Sequence, residues 1–436
     1  MVMFPISQEI LDRTAARLGI LDISTATIRQ IVALSSALEK EAEEKFVHLE
    51  LGNPGLPSSE IGIEAEIEAL RSGVANKYPA INGIPELKKA GARFVKAFMD
   101  INIPEKAIVP TVGSMQASFT LQLLLSQRLP GKDTTLFFNP GFPAQRHQAK
   151  VLGLGIEQFD IYNYRGKALE AKLEEILAKG NITAMLFSNP NNPAWINLTE
   201  EELEIIGRMA TKHDAIVIED VAYLGMDFRT DFSHPFEAPY IPSVGKYTDN
   251  FIMLVSGSKI FSYAGQRIAI VAMSEEVYDR KYKFFTDFYE MPAFGDAYVF
   301  GVLYTASSGT SHSAQHALAA MMDAACEGKL NFVKDTSEYG RRAEIMKKCF
   351  LDNGFHIVYE MDGDRPISDG FFFTVGYKDI DGKTLQQDLM RHGVSAITLS
   401  STGSEQEGVR ICVSTLSEDK DFETLNQRLK AFNNEH

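Results

Sequence analysis

Cysteine is scarce in this chain, which contains three cysteines among 436 residues. Cys326, Cys349 and Cys412 lie far apart in the sequence, and no two of them form a CxxC pair. A sparse, odd-numbered set argues against a disulfide framework and against a zinc site built from thiolates. We therefore expect a protein of a reducing compartment, the cytoplasm, and we predict no metal site.

Long apolar segments and an excess of positive charge are also missing. No stretch reaches 18 consecutive apolar residues, and residues 1–21 mix Asp, Glu and Arg into their apolar positions. We expect neither a transmembrane helix nor a secretory signal. The net charge of -15 and the sequence pI near 5.2 indicate an acidic surface. Because such a surface repels phosphate backbones and anionic lipids, we predict no nucleic-acid or membrane partner.

No internal repeat, low-complexity stretch or Gly/Ser linker divides the chain, although its length suits two or three domains. Short apolar runs bounded by turn residues alternate instead with helical patterns. The runs are Thr135–Phe138, Ala184–Phe187, Ala215–Ile218, Phe251–Val255 and Ile268–Ala272. Runs this apolar suit strands covered on both faces, and their alternation with helices predicts a mostly parallel α/β sheet.

Helical periodicity marks three segments, Ser24–Lys45, Lys89–Asp100 and Thr199–His213, the last with a predicted capping box of Thr199 and Glu202. From about Gly309 the pattern changes to a long helical stretch followed by separate strands. The elements expected there are a helix over Ser313–Tyr339 and onward, strands Phe371–Val375 and Val409–Val413, and a helix near Thr384–Arg391. We interpret residues 51–308 as a large α/β domain and residues 1–50 with 309–436 as a smaller α+β domain.

Each apolar run stops at polar residues, Gly or Pro. The endings include Phe138-Asn139-Pro140-Gly141, Phe187-Ser188-Asn189-Pro190, Ile218-Glu219-Asp220 and Val255-Ser256-Gly257-Ser258-Lys259. Ligands of open α/β sheets bind just beyond the carboxyl ends of the strands. One sheet would therefore bring Asn, Asp, Ser and Lys side chains together around a single crevice.

Lys259 has two interpretations. Taken alone, a lysine in such a place is more often a surface charge. A lysine with a lowered pKa, however, attacks carbonyl carbons and forms a Schiff base. Arg267, eight residues later, carries a fork of donors suited to gripping a phosphate in the same pocket.

Asp220 follows the run Ala215–Ile218 at the point where a strand should end. Its ordinary role would be to cap the next turn. A carboxylate there can instead keep a pyridinium nitrogen protonated, which makes the ring an electron sink. Tyr223 either packs as an aromatic residue or donates to the phenolic oxygen of that ring.

These residues belong to a longer, ordered series of motifs. Its members are Tyr78-Pro79 with Asn82-Gly83 and Leu87; Gly113-Ser114-Met115; Asn139-Pro140-Gly141-Phe142-Pro143; Asn189-Pro190-Asn191-Asn192-Pro193; Asp220 with Tyr223; Ser256-x-Ser258-Lys259 with Arg267; and Arg410. In order and spacing, over roughly residues 45–415, the series resembles the fold-type I, class I/II aminotransferases of the aspartate aminotransferase superfamily. The resemblance implies the PLP-transferase fold of type I. That fold has a mostly parallel seven-stranded sheet in an α/β/α sandwich, plus a smaller α+β domain.

The resemblance also implies roles by position. Lys259 would carry pyridoxal 5′-phosphate as a Schiff base and move the proton at the substrate Cα. Asp220 would pair with the pyridine nitrogen, Tyr223 and Asn192 with the ring oxygen, and Phe142 would stack on the ring face. The phosphate would be held by Gly113, Ser114, Met115, Ser256, Ser258 and Arg267, with Tyr78 reaching it from the second subunit of a homodimer. The substrate carboxylate would be bound by Arg410, with Asn192 and Gly52 close by.

The chain departs from the family pattern in two places. Ala194-Trp195 stand where Thr or Ser and Gly are usual, and Gly257 and Tyr263 are unusual around the lysine. We interpret both departures as marks of a divergent subgroup. His312 and His316 have metal-ligand spacing, but no acidic third ligand is identifiable, so a polar helix face is the preferred interpretation.

The resemblance implies transamination between an L-amino acid and a 2-oxo acid. Two alternatives stay open: another reaction of the same cofactor, such as β-elimination by a C–S lyase, decarboxylation or ring closure, and a cofactor-binding regulator without turnover. No helix-turn-helix extension flanks the core, which disfavours the regulator. The amino donor is open as well, although the aromatic-rich stretch Met291–Gly309 would suit aromatic or other apolar side chains.

Overall fold

The computed structural model describes residues 4–436. Met1–Met3, where the segment considered for a secretory signal begins, lie outside the described residues. Contacts divide the chain into two compact units. We call Leu56–Pro190 with Asn197–Thr336 the sheet unit. The small unit comprises the chain up to Gly55, the segment Asn191–Ile196, and Ser337–His436.

Strands and helices alternate over much of the chain. The strands are β1 Val47–His48, β2 Ile108–Val112, β3 Thr134–Asn139, β4 Gly155–Asp160, β5 Ile182–Ser188, β6 Ile216–Asp220, β7 Phe251–Ser256, β8 Ile268–Met273, β9 Phe355–Ile357, β10 Met361–Asp362, β11 Arg365–Pro366, β12 Phe372–Tyr377, β13 Val394–Ser395, β14 Ile397–Thr398 and β15 Val409–Cys412. The α-helices are α1 Gln8–Arg17, α2 Ile28–Ala42, α3 Glu60–Arg71, α4 Pro85–Met99, α5 Gly113–Gln127, α6 Pro143–Val151, α7 Lys167–Leu177, α8 Glu200–Lys212, α9 Gly257–Ile260, α10 Glu275–Asp279, α11 Lys283–Tyr289, α12 Phe294–Asp296, α13 Tyr304–Ser307, α14 His312–Cys326, α15 Phe332–Thr336, α16 Glu338–Asp352, α17 Gly382–Arg391 and α18 Asp419–Glu435. A π-helix, Ala297–Leu303, joins α12 to α13.

The sheet unit is built on a seven-stranded sheet with the order β2-β8-β7-β6-β5-β3-β4. β8 runs antiparallel to both of its neighbours, and the remaining pairs are parallel. Every residue of β3, β5, β6, β7 and β8 is buried, as expected for strands covered on both faces. The predicted α/β class with a mostly parallel seven-stranded sheet is confirmed.

The five apolar runs all form strands of this sheet, within two residues of the predicted limits. The two strands that the periodicity missed, β2 and β4, are the edge strands. β2 contains Pro110, which only an edge position tolerates because proline cannot donate to the ladder. β4 carries polar Glu157 and Gln158 and is only partly buried over its first half. A search for apolar runs therefore finds the central strands of a sheet and misses its edge strands.

The small unit has an α+β composition. Its main sheet is antiparallel, with the order β14-β15-β12-β9, while β1 and β13 form a separate parallel pair. Side chains of α1 and α2, including Leu11 and Leu34, share one buried cluster with Met390 and Ile397 from the chain's second half. The N-terminal helices are thus part of this unit's core.

Three helix predictions need correction. The helix expected from Lys89 is α4, which begins earlier, at Pro85. α2 begins at Ile28 and not at Ser24, because Thr27 and Gln30 form a capping box and residues 23–25 make a separate 3₁₀ turn. The stretch Ser313–Tyr339 is not one helix: α14 ends at Cys326, and Gly328 takes a φ of 69° before α15 begins. The predicted capping box of Thr199 and Glu202 is confirmed at the start of α8.

Residues 309–336 fall in the sheet unit, and the last segment of the small unit begins at Ser337, whereas the sequence suggested a boundary at 309. The predicted domain limits stay a prediction, because compactness of contacts does not test which segments fold on their own. Within residues 4–436, no helix is both long and apolar enough to cross a membrane.

Candidate active site

The carboxyl ends of β5, β6 and β7 lie side by side in the sheet unit. The parallel register pairs Asp220, the last residue of β6, with Ser188 at the end of β5 and with Leu254 in β7. Lys259 follows the end of β7 by three residues, in the short helix α9. Asp220 and Lys259 thus lie at or just beyond the carboxyl ends of two adjacent strands.

Asp220 is a buried carboxylate at the end of β6, and its side chain is 6% exposed. Gln145 Nε2 donates to Oδ2 at 2.7 Å, and the Ala222 backbone N–H donates to Oδ1 at 3.2 Å. Burial raises the pKa of the Asp220 carboxyl to about 6, and within the described residues no neighbouring charge offsets it. The carboxylate is thus suited to a cationic N–H donor.

A second charged feature lies at the beginning of α5, where Gly113 has a φ of 67°. A Cβ built on Gly113 would lie 2.5 Å from Arg267 Nη2, so the guanidinium rests against the glycine backbone. The first turn of α5 contains no acidic residue and no side-chain cap. A helix N-terminus and an arginine both favour anions, and here the turn Gly113-Ser114-Met115 begins at the glycine that lies against Arg267.

The turn that carries Lys259 is held from several sides. The Ser256 side chain is almost fully buried and accepts from the Ser258 backbone N–H at 3.1 Å, which caps α9. Tyr263 donates to Glu66 Oε2 at 2.5 Å, and the carbonyl of Ser262 accepts from Ser58 Oγ at 2.7 Å. The unusual Tyr263 therefore anchors the segment after the lysine.

The remaining predicted residues of the sheet unit differ in exposure. Tyr223 is buried three residues after β6, and Phe142 is partly buried immediately before α6. Tyr78 is 92% exposed and packs little against its own chain. Gln145, which holds Asp220, was not found from the sequence, because a glutamine three residues after Phe142 carries no motif signal.

The small unit contains the residues expected to bind the substrate carboxylate. Arg410, on β15, is 1% exposed, and its guanidinium lies 4.6 Å from the centre of the Phe372 ring. It donates to Asn192 Oδ1 at 3.4 Å and to the backbone carbonyl of Glu50, so both of these acceptors are neutral. A Cβ on Gly52 would lie 3.3 Å from Phe372. Gly52 and Arg410 thus both lie against Phe372, and Asn192 contacts Arg410.

The departure at Ala194-Trp195 has a packing explanation. Trp195 is fully buried, takes a φ of 63°, and meets the Phe372 ring edge-on at 6.2 Å. Gly370 leaves room for it, since a Cβ there would lie 2.1 Å from the indole. The backbone N–H of Trp195 donates to Asn191 O at 3.0 Å. The tryptophan therefore fastens the Asn192 loop to the small unit.

Within residues 4–436, no group of three or more His, Cys, Asp or Glu side chains is arranged to hold a metal ion. The His312 and His316 rings stack 5.5 Å apart on α14, and His312 Nδ1 lies 3.3 Å from the Lys77 carbonyl.

Comparisons with known proteins identify the family and the fold. A family model described as "Aminotransferase class I and II" matches residues 44–428. The chain is similar to nicotianamine aminotransferase 1 of Oryza sativa subsp. japonica, at 28% identity over 248 residues, covering 56% of this chain and 48% of that protein. It is also similar to an asparagine–oxo-acid transaminase of Streptococcus mutans serotype c, at 27% identity over 234 residues, covering 53% and 57% respectively. The chain thus spans about half the length of these curated relatives.

Among solved structures, the aspartate aminotransferase of Thermus thermophilus with maleate superposes with a TM-score of 0.74. The match covers 96% of this chain and 98% of that one at 17% identity, which shows a common fold. The family depends on pyridoxal 5′-phosphate. Motif order, sheet topology and the family model all agree, and the chain belongs to the class I and II aminotransferases.

Proposed function

We propose that this protein is a pyridoxal-phosphate-dependent aminotransferase that moves an amino group between an L-amino acid and a 2-oxo acid, with Lys259 as the covalent attachment point. The observation that carries the proposal is the buried Asp220 carboxylate at the end of β6, one strand away from the lysine. Among residues 4–436 no cation offsets this carboxylate, and a pyridinium N–H supplies one.

The uncapped start of α5 and the adjacent Arg267 support a place for the phosphate of the same cofactor. Residues proposed to hold the phosphate are Gly113, Ser114, Met115, Ser256, Ser258 and Arg267. Asp220 would hold the ring nitrogen, Tyr223 and Asn192 the ring oxygen, and Phe142 the ring face. When bound, pyridoxal phosphate supplies an electron-withdrawing ring that acidifies the substrate Cα–H.

The chain's own groups would bind the substrate and move its proton. The Arg410 guanidinium would grip the α-carboxylate with two parallel N–H bonds, with Gly52 close by. Asn192 and the Glu50 carbonyl orient that guanidinium by accepting from it. The Lys259 amine would take the proton from the substrate Cα and return it at the cofactor, as a general base and then a general acid.

The active species is proposed to be a homodimer in the cytoplasm. Tyr78 is 92% exposed on a single chain, which suits a side chain that serves the phosphate site of a second subunit. Cys326, Cys349 and Cys412 are free cysteines, and thiols persist in a reducing compartment.

An amino-donor screen with 2-oxoglutarate tests the reaction type. Donor-dependent formation of glutamate by the purified protein is the expected result. Release of pyruvate and ammonia without an oxo-acid acceptor would show β-elimination instead, and loss of carbon dioxide would show decarboxylation. Cofactor binding without any turnover would leave the regulator as the surviving function.

A further inference from the structure

Three glutamines are buried between α5 and α6 of the sheet unit. Gln122 on α5 is fully buried, and Gln145 and Gln148 on α6 are 4% and 8% exposed. A buried amide without partners is costly, so such a cluster indicates a connected network. None of the three has a role in the function proposed above.

The network runs from Asp220 to the first turn of α5, and its middle link is the bond from Gln122 Nε2 to Gln148 Oε1 at 3.4 Å. Gln145 Nε2 donates to Asp220 Oδ2 at 2.7 Å. The backbone carbonyl of Gln145 accepts from Gln122 Nε2 at 3.2 Å. Gln148 Nε2 donates to the Met115 carbonyl at 2.8 Å, in the first turn of α5. The Gln148 side-chain oxygen in turn accepts from Ser118 Oγ at 2.7 Å.

The chemistry of an amide decides what Gln145 can do for Asp220. The amide is neutral at every accessible pH, so its N–H donates to the carboxylate without titrating. A donor stabilises the ionised carboxylate and opposes the effect of burial. The 2.7 Å contact also fixes one of the two carboxylate oxygens, which leaves the orientation of the other defined.

We propose that Gln145 is a positioning residue that keeps the Asp220 carboxylate ionised and aimed at the ring nitrogen, and that Gln122, Gln148 and Ser118 tie it to the phosphate-binding turn of α5. This inference rests on the proposed function, since it concerns residues around the cofactor. It predicts that Gln145 affects cofactor binding through the protonation of Asp220 and not only through packing.

Other ionisable groups lie near Asp220 along the chain or follow the neighbouring strands, and their titration must be distinguished from that of Asp220. Glu219 precedes it on β6, is fully buried, and has a pKa that burial raises to about 7. Arg146 follows Gln145 on α6, Tyr223 follows β6, and Lys259 follows β7. The Asp220→Asn variant shows which part of the pH dependence of cofactor binding comes from Asp220. The Glu219→Gln variant removes the neighbouring carboxyl group.

The test is the affinity of the apoprotein for pyridoxal phosphate, measured by equilibrium titration from pH 5 to pH 9. Gln145→Leu removes the donor, and Gln145→Glu keeps the shape of the side chain but loses the donor once its carboxyl ionises. Gln386→Leu is the matched control, because Gln386 is an equally buried glutamine of the small unit that donates to the Ala396 carbonyl.

Gln145→Leu should bind the cofactor about tenfold more weakly than wild type on the acid side, and its affinity should approach that of wild type at high pH. Gln145→Glu should resemble wild type at pH 5, where its protonated carboxyl still donates to Asp220, and should bind more weakly than wild type once that carboxyl ionises. In the Asp220→Asn background this pH-dependent part should disappear. Gln386→Leu should bind pyridoxal phosphate as tightly as wild type at every pH. In the Glu219→Gln background, Gln145→Leu should still cause its pH-dependent loss of affinity.

The inference would be overturned if Gln145→Leu weakened cofactor binding by the same factor at every pH, or did not weaken it at all. Either result would leave the proposed function standing. A wild-type apoprotein that takes up no pyridoxal phosphate would overturn both.

Discussion

At the residue scale, the burial of Asp220 has a consequence for stability. Its folded-state pKa of about 6 lies above the ordinary aspartate value of 3.8. The folded protein therefore binds this proton more tightly than the unfolded chain does. The stability of the fold decreases as the pH rises from the ordinary aspartate pKa of 3.8 to the folded-state pKa of about 6. A difference of about two units corresponds to about 3 kcal/mol at neutral pH. The apoprotein thus holds a destabilising charge that a cationic ligand would relieve.

Replacing Asp220 with Asn should therefore stabilise the apoprotein in a pH-dependent way. The variant should exceed wild type by about 3 kcal/mol above pH 7, and the difference should shrink toward pH 5, because wild-type Asp220 becomes protonated there. Urea unfolding of both apoproteins at pH 5 and pH 8 measures it. The exposed Asp364→Asn serves as the control. Equal differences at the two pH values would contradict the prediction.

Lys259 carries the second prediction at this scale. Lys259→Ala should lose the visible absorbance of lysine-bound cofactor, and its turnover should fall by roughly 10²–10⁴-fold or more, because both the attachment point and the proton-transfer group are gone. Absorbance spectra and single-turnover assays measure the two effects. Lys167→Ala, on an exposed position at the start of α7, should change neither. A yellow and active Lys259→Ala protein would contradict the assignment of Lys259 as the attachment point of the cofactor.

At the element scale, the start of α5 depends on a glycine for two separate reasons. Gly113 has a positive φ, and its missing side chain leaves space for the Arg267 guanidinium. The helix dipole and the arginine then act on the same anion. Gly131 has a similar φ of 76° but no atom within 4 Å of its would-be Cβ.

Alanine substitutions at these two glycines distinguish the effect of backbone strain from the effect of losing the anion site. Gly113→Ala and Gly131→Ala should each destabilise the fold by about 1 kcal/mol, because alanine resists the left-handed conformation. Only Gly113→Ala should also displace Arg267 and weaken binding of pyridoxal phosphate by about tenfold or more. Binding of pyridoxal, which lacks the phosphate, should be unaffected. Equal losses for both ligands would place the effect outside the phosphate site.

At the scale of the whole molecule, the position of Tyr78 leads to a test by subunit mixing. Tyr78 is exposed, whereas the other residues proposed to bind the phosphate come from α5, the end of β7 and the following turn of the same chain. If each site takes its tyrosine from the partner subunit, inactivating mutations at Tyr78 and Lys259 should complement one another in a mixed dimer.

Equal mixing of Tyr78→Ala and Lys259→Ala chains should thus recover roughly a quarter of wild-type activity, because half of the dimers would be hybrids with one intact site of two. Each variant alone should stay at its own low level. Sedimentation of the wild type should show a dimer. A fully active monomer, or mixtures no better than their components, would contradict the shared site.

The sequence by itself was enough for the centre of the sheet and for the motif series. The five apolar runs identify the strands β3, β5, β6, β7 and β8, because a strand buried on both faces must be apolar throughout. The motifs placed Asp220 and Lys259 at strand ends, since polar residues that follow such a run mark the carboxyl edge of a parallel sheet. Fold class and family follow from these local signals.

Only the tertiary structure decided what surrounds those residues. Gln145 reaches Asp220 across 75 positions of sequence, and Arg267 packs on Gly113 across the antiparallel pair of β2 and β8. Phe372 and Trp195 meet Arg410 and Gly370 through contacts between distant segments. These contacts leave no periodicity in the chain, because they depend on how strands pair and helices pack, whereas Lys259 and Asp220 are marked by their place at the end of a strand.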